Sequence, residues 1–177
     1  MKNRGFTLLE LMVSVVIIGI LASVGTANFL KFKEDYDVDS AQSILVSDLM
    51  LARELSKTKN ELYLEDSYQK IYYALEIKSD KEYVISLLTK DYSKIKEYAQ
   101  ERSLSKGGNV KFDLVDDMQN LFYIVFKWDG EVVFLDAELN EIEPPGEGIP
   151  EIVIKSVNSD YKAEINIDSI SGKFNYE

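Results

Sequence analysis

An uncharged, largely apolar run near the N-terminus is the strongest constraint on how this chain of 177 residues folds. Between Phe6 and Leu30 the only charged residue is Glu10. About 20 apolar residues suffice for a helix to cross a bilayer, so the run predicts a transmembrane helix segment over residues 6–30. A carboxylate at membrane depth costs about 2.5 kcal/mol or more even on the most lenient insertion scale. Glu10 is therefore predicted to have a functional partner.

The residues that precede the apolar run form a specific pattern. Residues 5–10 read Gly-Phe-Thr-Leu-Leu-Glu and follow the basic side chains Lys2 and Arg4. This pattern resembles the class III signal of type IV pilins and type II secretion pseudopilins. Basic residues ahead of an apolar segment tend to stay on the cytoplasmic side of a membrane. Residues 1–5 are therefore interpreted as a prepilin leader.

The resemblance implies how the chain is processed and assembled. Prepilin peptidase would cleave between Gly5 and Phe6, and the same enzyme would N-methylate the new amine of Phe6. Glu10 would act in assembly by accepting the amine of a neighbouring subunit. The implied partners are prepilin peptidase, other pilin or pseudopilin subunits, the inner-membrane assembly platform and membrane lipid. The implied location is a single pass through the inner membrane, with an exported C-terminal domain incorporated into a pilus or pseudopilus.

Two simpler interpretations of the N-terminal segment stay open. Residues 1–27 also fit a secretory signal, with Gly25-Thr26-Ala27 as a small-residue cleavage site. A plain signal-anchor helix is the second alternative. The position of Glu10 early in the apolar region and the length of the run favour the pilin-like interpretation.

Composition argues against several classes of function. The formal net charge is −11, and removal of the leader would leave 18 basic against 31 acidic side chains. So acidic a surface repels phosphate backbones, and general nucleic-acid binding is not expected. The chain contains no cysteine and no histidine, so disulfides, the usual general base and the commonest metal ligand are missing. We predict that the protein is not an enzyme and needs no cofactor.

Beyond the membrane segment, apolar residues recur at spacings of three and four, which is typical of one helix face. The stripe consists of Phe29, Phe32, Tyr36, Ala41, Ile44, Leu45, Leu49, Ala52 and Leu55. Polar residues, among them Asp48, are predicted to occupy the other faces. The helix is predicted to run from near Phe6 to near Lys57. Its amphipathic half, residues 31–58, would pack on a β domain of residues 61–177, and the two together would form the exported domain.

Short segments rich in aromatic and β-branched residues follow the helix and predict strands. These are residues 62–64, 71–77, 83–88, 95–99, 110–115, 121–128, 132–134, 152–157, 161–167 and 172–176. Turns are predicted at 79–81, 107–109 and Asp129-Gly130. A helix followed by strands, without alternation, predicts an α+β, pilin-like fold. A long N-terminal helix would be transmembrane in its first half and packed on antiparallel β-sheet in its second.

Three segments carry a second, more specific resemblance. Residues 49–53 contain Leu-x-x-Ala-Arg, residues 126–130 contain Phe-x-x-Asp-Gly, and residues 167–174 contain a Ser-Gly turn. In this order they resemble the helix end, hairpin and closing strands of the GspH/FimT-type minor pilins and pseudopilins. That likeness implies two small β-sheets packed on the helix and a minor structural subunit.

The choice of subunit type and machine leaves alternatives. No proline precedes Pro144, whereas major pilins commonly carry one within the membrane helix, so a minor subunit is favoured. A major pilin-like fibre subunit is the first alternative. A surface binding module that uses the pilin signal for export is the second. The machine could be a type IV pilus, a type II secretion system or a DNA-uptake apparatus.

An acidic stretch over residues 136–143 is a candidate cation site. It carries Asp136, Glu138, Glu141 and Glu143, and calcium prefers several oxygen ligands. The stretch lacks the Asp-x-Asp-x-Asp-Gly pattern of calcium loops. A solvated loop is therefore favoured, calcium is the alternative, and no metal ligand is assigned.

Overall fold

The computed structural model describes residues 7–64, 67–113, 122–142, 151–168 and 170–176. In these ranges one long helix, α1 (Leu8–Thr58), precedes twelve strands. The strands are β1 (Glu61–Leu64), β2 (Ser67–Ile77), β3 (Glu82–Thr89), β4 (Lys94–Glu97), β5 (Arg102–Ser103), β6 (Val110–Phe112), β7 (Tyr123–Phe126), β8 (Val132–Leu135), β9 (Glu141–Ile142), β10 (Glu151–Ser156), β11 (Lys162–Ile167) and β12 (Phe174–Tyr176). The predicted α+β fold, with a long N-terminal helix on antiparallel sheet, is confirmed.

The strands form two antiparallel sheets. The larger has the order β4-β3-β2-β7-β8-β9, with β1 paired to β2 and β5 paired to β3. The smaller has the order β12-β11-β10-β6. The predicted turn at 79–81 joins β2 to β3, in which Ile71 opposes Thr89 and Ile77 opposes Tyr83. The Asp129-Gly130 turn joins β7 to β8 as predicted, and Gly130 takes the positive φ of 98° that the turn requires.

The second half of α1 packs against both sheets in one hydrophobic core. Leu45 and Leu49 are fully buried there, together with Leu75 of the larger sheet and Ile154 and Ile165 of the smaller. Full burial of one such side chain stabilises the fold by about 1.5–3 kcal/mol. This packing positions the helix, so the domain begins where the buried face of α1 begins.

The predicted apolar stripe on α1 is wrong at four of its members, three of which precede Ala41. Ala41, Leu45, Leu49, Ala52 and Leu55 are buried. The members that are exposed instead are Phe29, Phe32, Tyr36 and Ile44. The step from Tyr36 to Ala41 is five residues, which turns a helix by about 140° relative to the starting face. The early aromatic residues therefore lie on a different face, and fully buried Val38 is the residue that extends the core toward the N-terminus.

Asp48 also departs from its predicted place on a polar face. Its carboxylate is buried, and its Oδ2 accepts the Tyr83 hydroxyl hydrogen bond at 2.8 Å. Arg102 forms an ion pair with the same oxygen at 3.0 Å. Burial, and then the hydrogen bond to Asp48, raise the pKa of Tyr83. The Tyr83 hydroxyl and the Arg102 guanidinium thus bind the Asp48 carboxylate, which the helix pattern predicted to face solvent.

Several strand predictions differ in extent. The 95–99 segment is β4, shorter and earlier than predicted, and β5 follows it as a second short partner of β3. Strand β9 lies within the acidic stretch for which the sequence favours a solvated loop. Residues 114–115 and residue 121 lie outside the described residues, so these parts of the predicted strands stay untested.

Candidate processing and assembly site

The start of α1 is held by a reciprocal pair of side chains. The Thr7 hydroxyl accepts a hydrogen bond from the Glu10 backbone N–H at 3.2 Å. Glu10 Oε2 in turn accepts from the Thr7 backbone N–H at 3.2 Å. This is a capping box, which satisfies N–H groups that the first helical turn leaves without partners. The carboxylate is therefore fixed at the helix N-terminus, where the helix dipole favours negative charge.

The structure describes only one of the three predicted site residues. Glu10 lies in the described part of the chain, whereas Gly5 and Phe6 lie outside it. The nearest described residue to the predicted cleavage point is Thr7, whose N–H binds the Glu10 carboxylate. Sequence reasoning assigned no role to Thr7. The Thr-x-x-Glu spacing of Thr7 and Glu10 was the signal that could have identified it.

The apolar half of α1 has no contact that buries it. Every described side chain from Thr7 to Leu30 is exposed, as the 76% exposure of Leu8 and 63% of Ile18 illustrate. By length and composition the helix could cross a membrane, with a mean hydropathy of 2.4 over its most apolar stretch. The N-terminus of α1 thus carries one carboxylate, that of Glu10, and the described apolar side chains that follow it are exposed.

The three segments that carry the second resemblance meet at the other end of α1. Arg53 Nη2 donates to the carbonyl oxygen of Ser171 at 2.8 Å. Gly172 has a φ of +61°, and a Cβ there would lie 3.1 Å from Arg53 Nε and 3.2 Å from the Gly130 carbonyl oxygen. The Ser56 hydroxyl donates to the Phe126 carbonyl. The three segments therefore pack together at one corner of the domain. These contacts explain why an arginine stands at position 53 and a glycine at position 172.

The acidic stretch has a structural use for one of its carboxylates. Asp136 Oδ1 accepts the backbone N–H groups of Glu138 at 2.8 Å and Asn140 at 2.9 Å. The backbone and the side chain of Asn140 both donate to Asp136, and these two bonds, with a smaller contribution from the Glu138 N–H, lower the pKa of Asp136. Among the described residues, no group of three or more His, Cys, Asp or Glu side chains could hold a metal ion. Glu143 lies outside those residues.

An ionic cluster around the buried carboxylate of Glu76 on the larger sheet gave no signal in the sequence. Glu76 Oε2 lies 2.7 Å from Lys94 Nζ and accepts from the Ser86 hydroxyl at 2.5 Å. Glu76 Oε1 lies 3.1 Å from Lys78 Nζ and accepts from the Tyr123 hydroxyl at 3.2 Å. Burial acts to raise the pKa of Glu76, but the bonds from Lys94, Ser86 and Lys78 outweigh it and hold that pKa below its usual value.

Comparison with known proteins matches the N-terminal segment to a described family. The family described as the prokaryotic N-terminal methylation motif matches residues 1–26. The type II secretion system core protein G of Escherichia coli strain K12 is 47% identical over 62 residues, which are 35% of this chain and 42% of that protein. The protein of the same name from Vibrio cholerae gives the same identity and coverage.

A pilus protein is also similar. The type IV major pilin protein PilA of Myxococcus xanthus is 62% identical over 32 residues, which are 18% of this chain and 14% of that protein. The chain thus spans less than half the length of each of these relatives. No solved structure matches it significantly. By its methylation motif, these relatives and its α+β layout, the chain is pilin-like: it is similar to type IV pilins and type II secretion pseudopilins.

Proposed function

We propose that this protein is a structural subunit of a type IV pilus or a type II secretion pseudopilus. It would be processed after Gly5 and assembled through its N-terminal helix. The observation that carries the proposal is the start of α1, where the Glu10 carboxylate heads an apolar helix that nothing else in the described chain covers. That arrangement suits a part of a larger assembly and offers no catalytic group.

The role proposed for Glu10 follows from charge balance. Cleavage between Gly5 and Phe6 creates an amine one residue before Thr7, whose N–H already binds Glu10. N-methylation leaves that amine positively charged. In a low-dielectric layer an unpaired charge is very costly, while opposite charges attract strongly. Pairing Glu10 of one subunit with the Phe6 amine of a neighbour would therefore favour one axial offset between adjacent helices.

The partners follow from this proposal. They are prepilin peptidase, other pilin or pseudopilin subunits, the inner-membrane assembly platform and membrane lipid. The chain would cross the inner membrane once, with its C-terminal domain exported. The boundaries at residues 1–5, 6–30 and 31–177 remain predictions within this scheme.

A minor subunit of the GspH/FimT type is the favoured place in the assembly. The packed corner of Arg53, Gly130 and Gly172 supports it, together with the lack of a proline before Pro144. A major fibre subunit is the second candidate, because the similar Myxococcus xanthus protein is a major pilin by name. The abundance of this protein in sheared fibres distinguishes the minor from the major subunit.

Ligand capture by the domain without residues 1–30 would favour the third alternative, a surface binding module.

The decisive experiment is mass spectrometry of the N-terminus of protein extracted from cells. We expect a chain that begins at N-methylated Phe6. Gly5→Arg should block both cleavage and methylation, because a bulky cation replaces the small residue at the cut. Lys2→Arg keeps the charge and leaves the junction intact, so it should be processed normally. A mature chain that begins at Asn28 would instead establish a secretory signal and overturn the proposal.

A further inference from the structure

We propose that the larger sheet binds an extended, acidic segment of another protein as an additional strand beside the start of β2. The binding groups are the unpaired backbone N–H and C=O groups of Tyr68 and Lys70, which we call the open edge. No part of this site belongs to the apolar half of α1. Binding there is therefore independent of the assembly proposed through that helix.

Strand β2 extends further than β3, its neighbour on one side. It has 11 residues, Ser67–Ile77. β3 pairs with it only from Ile71, which opposes Thr89, onward. The residues of β2 before Ile71 pair instead with β1. If β1 lies on the side of β2 opposite β3, these residues have no neighbour where β3 has ended.

The hydrogen bonds of β2 show that β1 lies on the same side as β7. Ile71 N–H donates to the carbonyl of Asn60, which directly precedes β1, at 2.9 Å. Ile77 N–H donates to the carbonyl of Phe122, which directly precedes β7, at 2.7 Å. Backbone groups along a strand point to alternate edges, and Ile71 and Ile77 are an even number of residues apart. β1 and β7 therefore share one side of β2.

The open edge lies on the other side of β2. Lys78 N–H donates to the Glu82 carbonyl at the start of β3 at 2.8 Å, so the even-numbered residues of this segment direct their backbone groups toward β3. Tyr68 and Lys70 belong to that set. Among the described residues, none donates to their backbone groups or accepts from them. One N–H and one C=O from each residue leave four groups for an added strand.

A groove of about 620 Å³ lies beside the open edge. Gln69 and Lys70 line it on one side, and the turn from Thr89 to Ser93 lines it on the other. That turn is held by two backbone bonds, from Tyr92 N–H to the Thr89 carbonyl at 3.1 Å and from Thr89 N–H to the Ser93 carbonyl at 2.9 Å. The groove is thus a fixed gap in the sheet, in line with β3, where an added strand would run antiparallel to β2.

The side chains of the open edge do not cover it. Lys70 Nζ lies 3.5 Å from Glu61 Oε1 of β1 and 4.9 Å from the ring centroid of Trp128, which follows β7. Both partners lie on the side of β2 that carries β1 and β7, so the ammonium group is drawn away from the groove. The Tyr68 ring contacts that of Tyr63 on β1, with centroids 5.2 Å apart. A lysine on an exposed edge usually discourages pairing, but this one is directed elsewhere.

The apolar part of the groove indicates one residue of the bound segment. Leu64 and Ile95 line the groove. Leu62 opposes Gln69 in the register of β1 and β2, and Leu64 lies two residues further along β1, so its side chain is on the same face as Gln69. A residue of the added strand opposite Gln69 would point to that face. We therefore expect it to be apolar.

The charges of the groove indicate the residues on either side. Lys90 lines the groove and has no ion pair among the described residues. The carboxylate of Asp91, which also lines it, already accepts the hydroxyl hydrogen bonds of Thr89 and Ser93. Lys90 is thus the charge left to attract a ligand. The expected segment alternates apolar with acidic residues, and strand addition of this kind takes its affinity from main-chain hydrogen bonds.

The test measures binding of a short fluorescein-labelled peptide of alternating glutamate and valine to the full chain in detergent, by fluorescence anisotropy. With valine opposite Gln69, the glutamate N–H groups face β2 and the valine N–H groups face solvent. We expect N-methylation of the valines to leave binding unchanged and N-methylation of the glutamates to abolish it. A peptide with lysine in place of glutamate should bind at least about tenfold more weakly, because Lys90 repels it.

Two pairs of variants locate the site on the protein. Tyr68→Pro removes one N–H of the open edge and no bond to β1, and proline is tolerated where a strand N–H faces solvent. It should weaken binding about tenfold, whereas Tyr68→Thr keeps the N–H and should bind like the native chain. Lys90→Glu should weaken binding of the glutamate peptide. Lys96→Glu makes the same charge change on β4 outside the groove lining and is its control.

Equal binding of the two N-methylated peptides to the native chain would overturn the strand pairing, whatever the variants do. Failure of the unmodified peptide to bind would overturn it as well. Equal binding of the glutamate and lysine peptides would overturn the acidic character of the ligand. Self-association that sedimentation detects in the native chain but not in Tyr68→Pro would assign the open edge to a second copy and contradict a separate partner. Equal melting temperatures would verify that the variants are folded.

Discussion

At the scale of single residues, buried carboxylates are tolerated where several donors meet them. Asp48 has a tyrosine and an arginine, and Glu76 has two lysines, a serine and a tyrosine within bonding distance. Burial of a charge without such partners costs several kcal/mol. The loss of either carboxylate would leave a buried hydroxyl group, that of Tyr83 or of Ser86, without its acceptor.

The first prediction concerns Glu76→Gln, measured by urea unfolding of the full chain in detergent. We expect a loss of about 1–3 kcal/mol at pH 7, because hydrogen bonds to a charged group are removed. The pKa of Glu76 is lowered in the folded chain. Its contribution is thus fully present above the unfolded value near 4.5 and is lost as the pH falls through the lowered folded value.

The difference between wild type and Glu76→Gln should therefore shrink on acidification below pH 4.5. Glu138→Gln is the control, since Glu138 is exposed and should change little at any pH. A constant difference between pH 7 and pH 3 would contradict the ionic role of Glu76.

The second prediction concerns Glu10→Ala. We expect normal insertion and processing, because removal of a charge makes the membrane helix more apolar. Incorporation into fibres or cross-linked pilin complexes should fall, because a neighbour's Phe6 amine would then lack its anion. Membrane and fibre fractions are compared by immunoblotting, with Glu54→Ala, a position outside the membrane segment, as the control. Equal amounts of Glu10→Ala and wild type in both fractions would mean that Glu10 does not drive assembly.

At the scale of elements, α1 has two functions divided along its length. Every described side chain of its first half is exposed, and its second half buries one face against both sheets. The core face begins at Val38 and continues through Ala41, Leu45 and Leu49. One continuous helix thus joins the apolar segment to the packed domain.

The third prediction tests that face with a matched pair. Leu49→Asp places a charge at a fully buried position, whereas Ile44→Asp places it where the side chain is 44% exposed. We expect Leu49→Asp to lower the free energy of unfolding by at least about 3 kcal/mol, from lost burial and an unpaired charge. Ile44→Asp should cost much less. Thermal melts that show similar midpoints for both variants would contradict the assigned face.

At the scale of the whole molecule, folding and anchoring are physically separate. No described side chain between Thr7 and Leu30 is buried, and the hydrophobic core starts at Val38. The described side chains of the apolar half of α1 therefore add nothing to the core of their own chain. Under the proposed function their contacts are to lipid or to other subunits. Assembly can change the surroundings of the first half while the domain stays folded.

The fourth prediction is that the chain beginning at Lys31 folds alone. Its thermal midpoint should equal that of the full chain in detergent, because every buried core residue is retained. Differential scanning calorimetry of the two chains measures this. A chain that begins at Asp48 is the control, since it loses Val38, Ala41 and Leu45 and should fail to fold. A markedly lower midpoint for the chain from Lys31 would mean that the membrane half supports the domain.

Local signals in the sequence determined the membrane-type helix, its end near Lys57, the Asp129-Gly130 turn and the α+β order. Each of these depends on residues close together in the chain, such as the unbroken apolar run or a glycine that accepts positive φ. The Thr7–Glu10 cap belongs to the same group, since it depends on a spacing of three.

Tertiary structure alone decided which helix face is buried and which polar residues accompany it. Phe32 and Tyr36 fit a helical stripe as well as Val38 does, and only the position of the sheets selects between them. Asp48 is buried because Tyr83 and Arg102, distant in sequence, arrive beside it. Gly172 is confined by Arg53 and Gly130 for the same reason. Contacts between distant segments depend on the packing of the whole chain, and no local pattern encodes them.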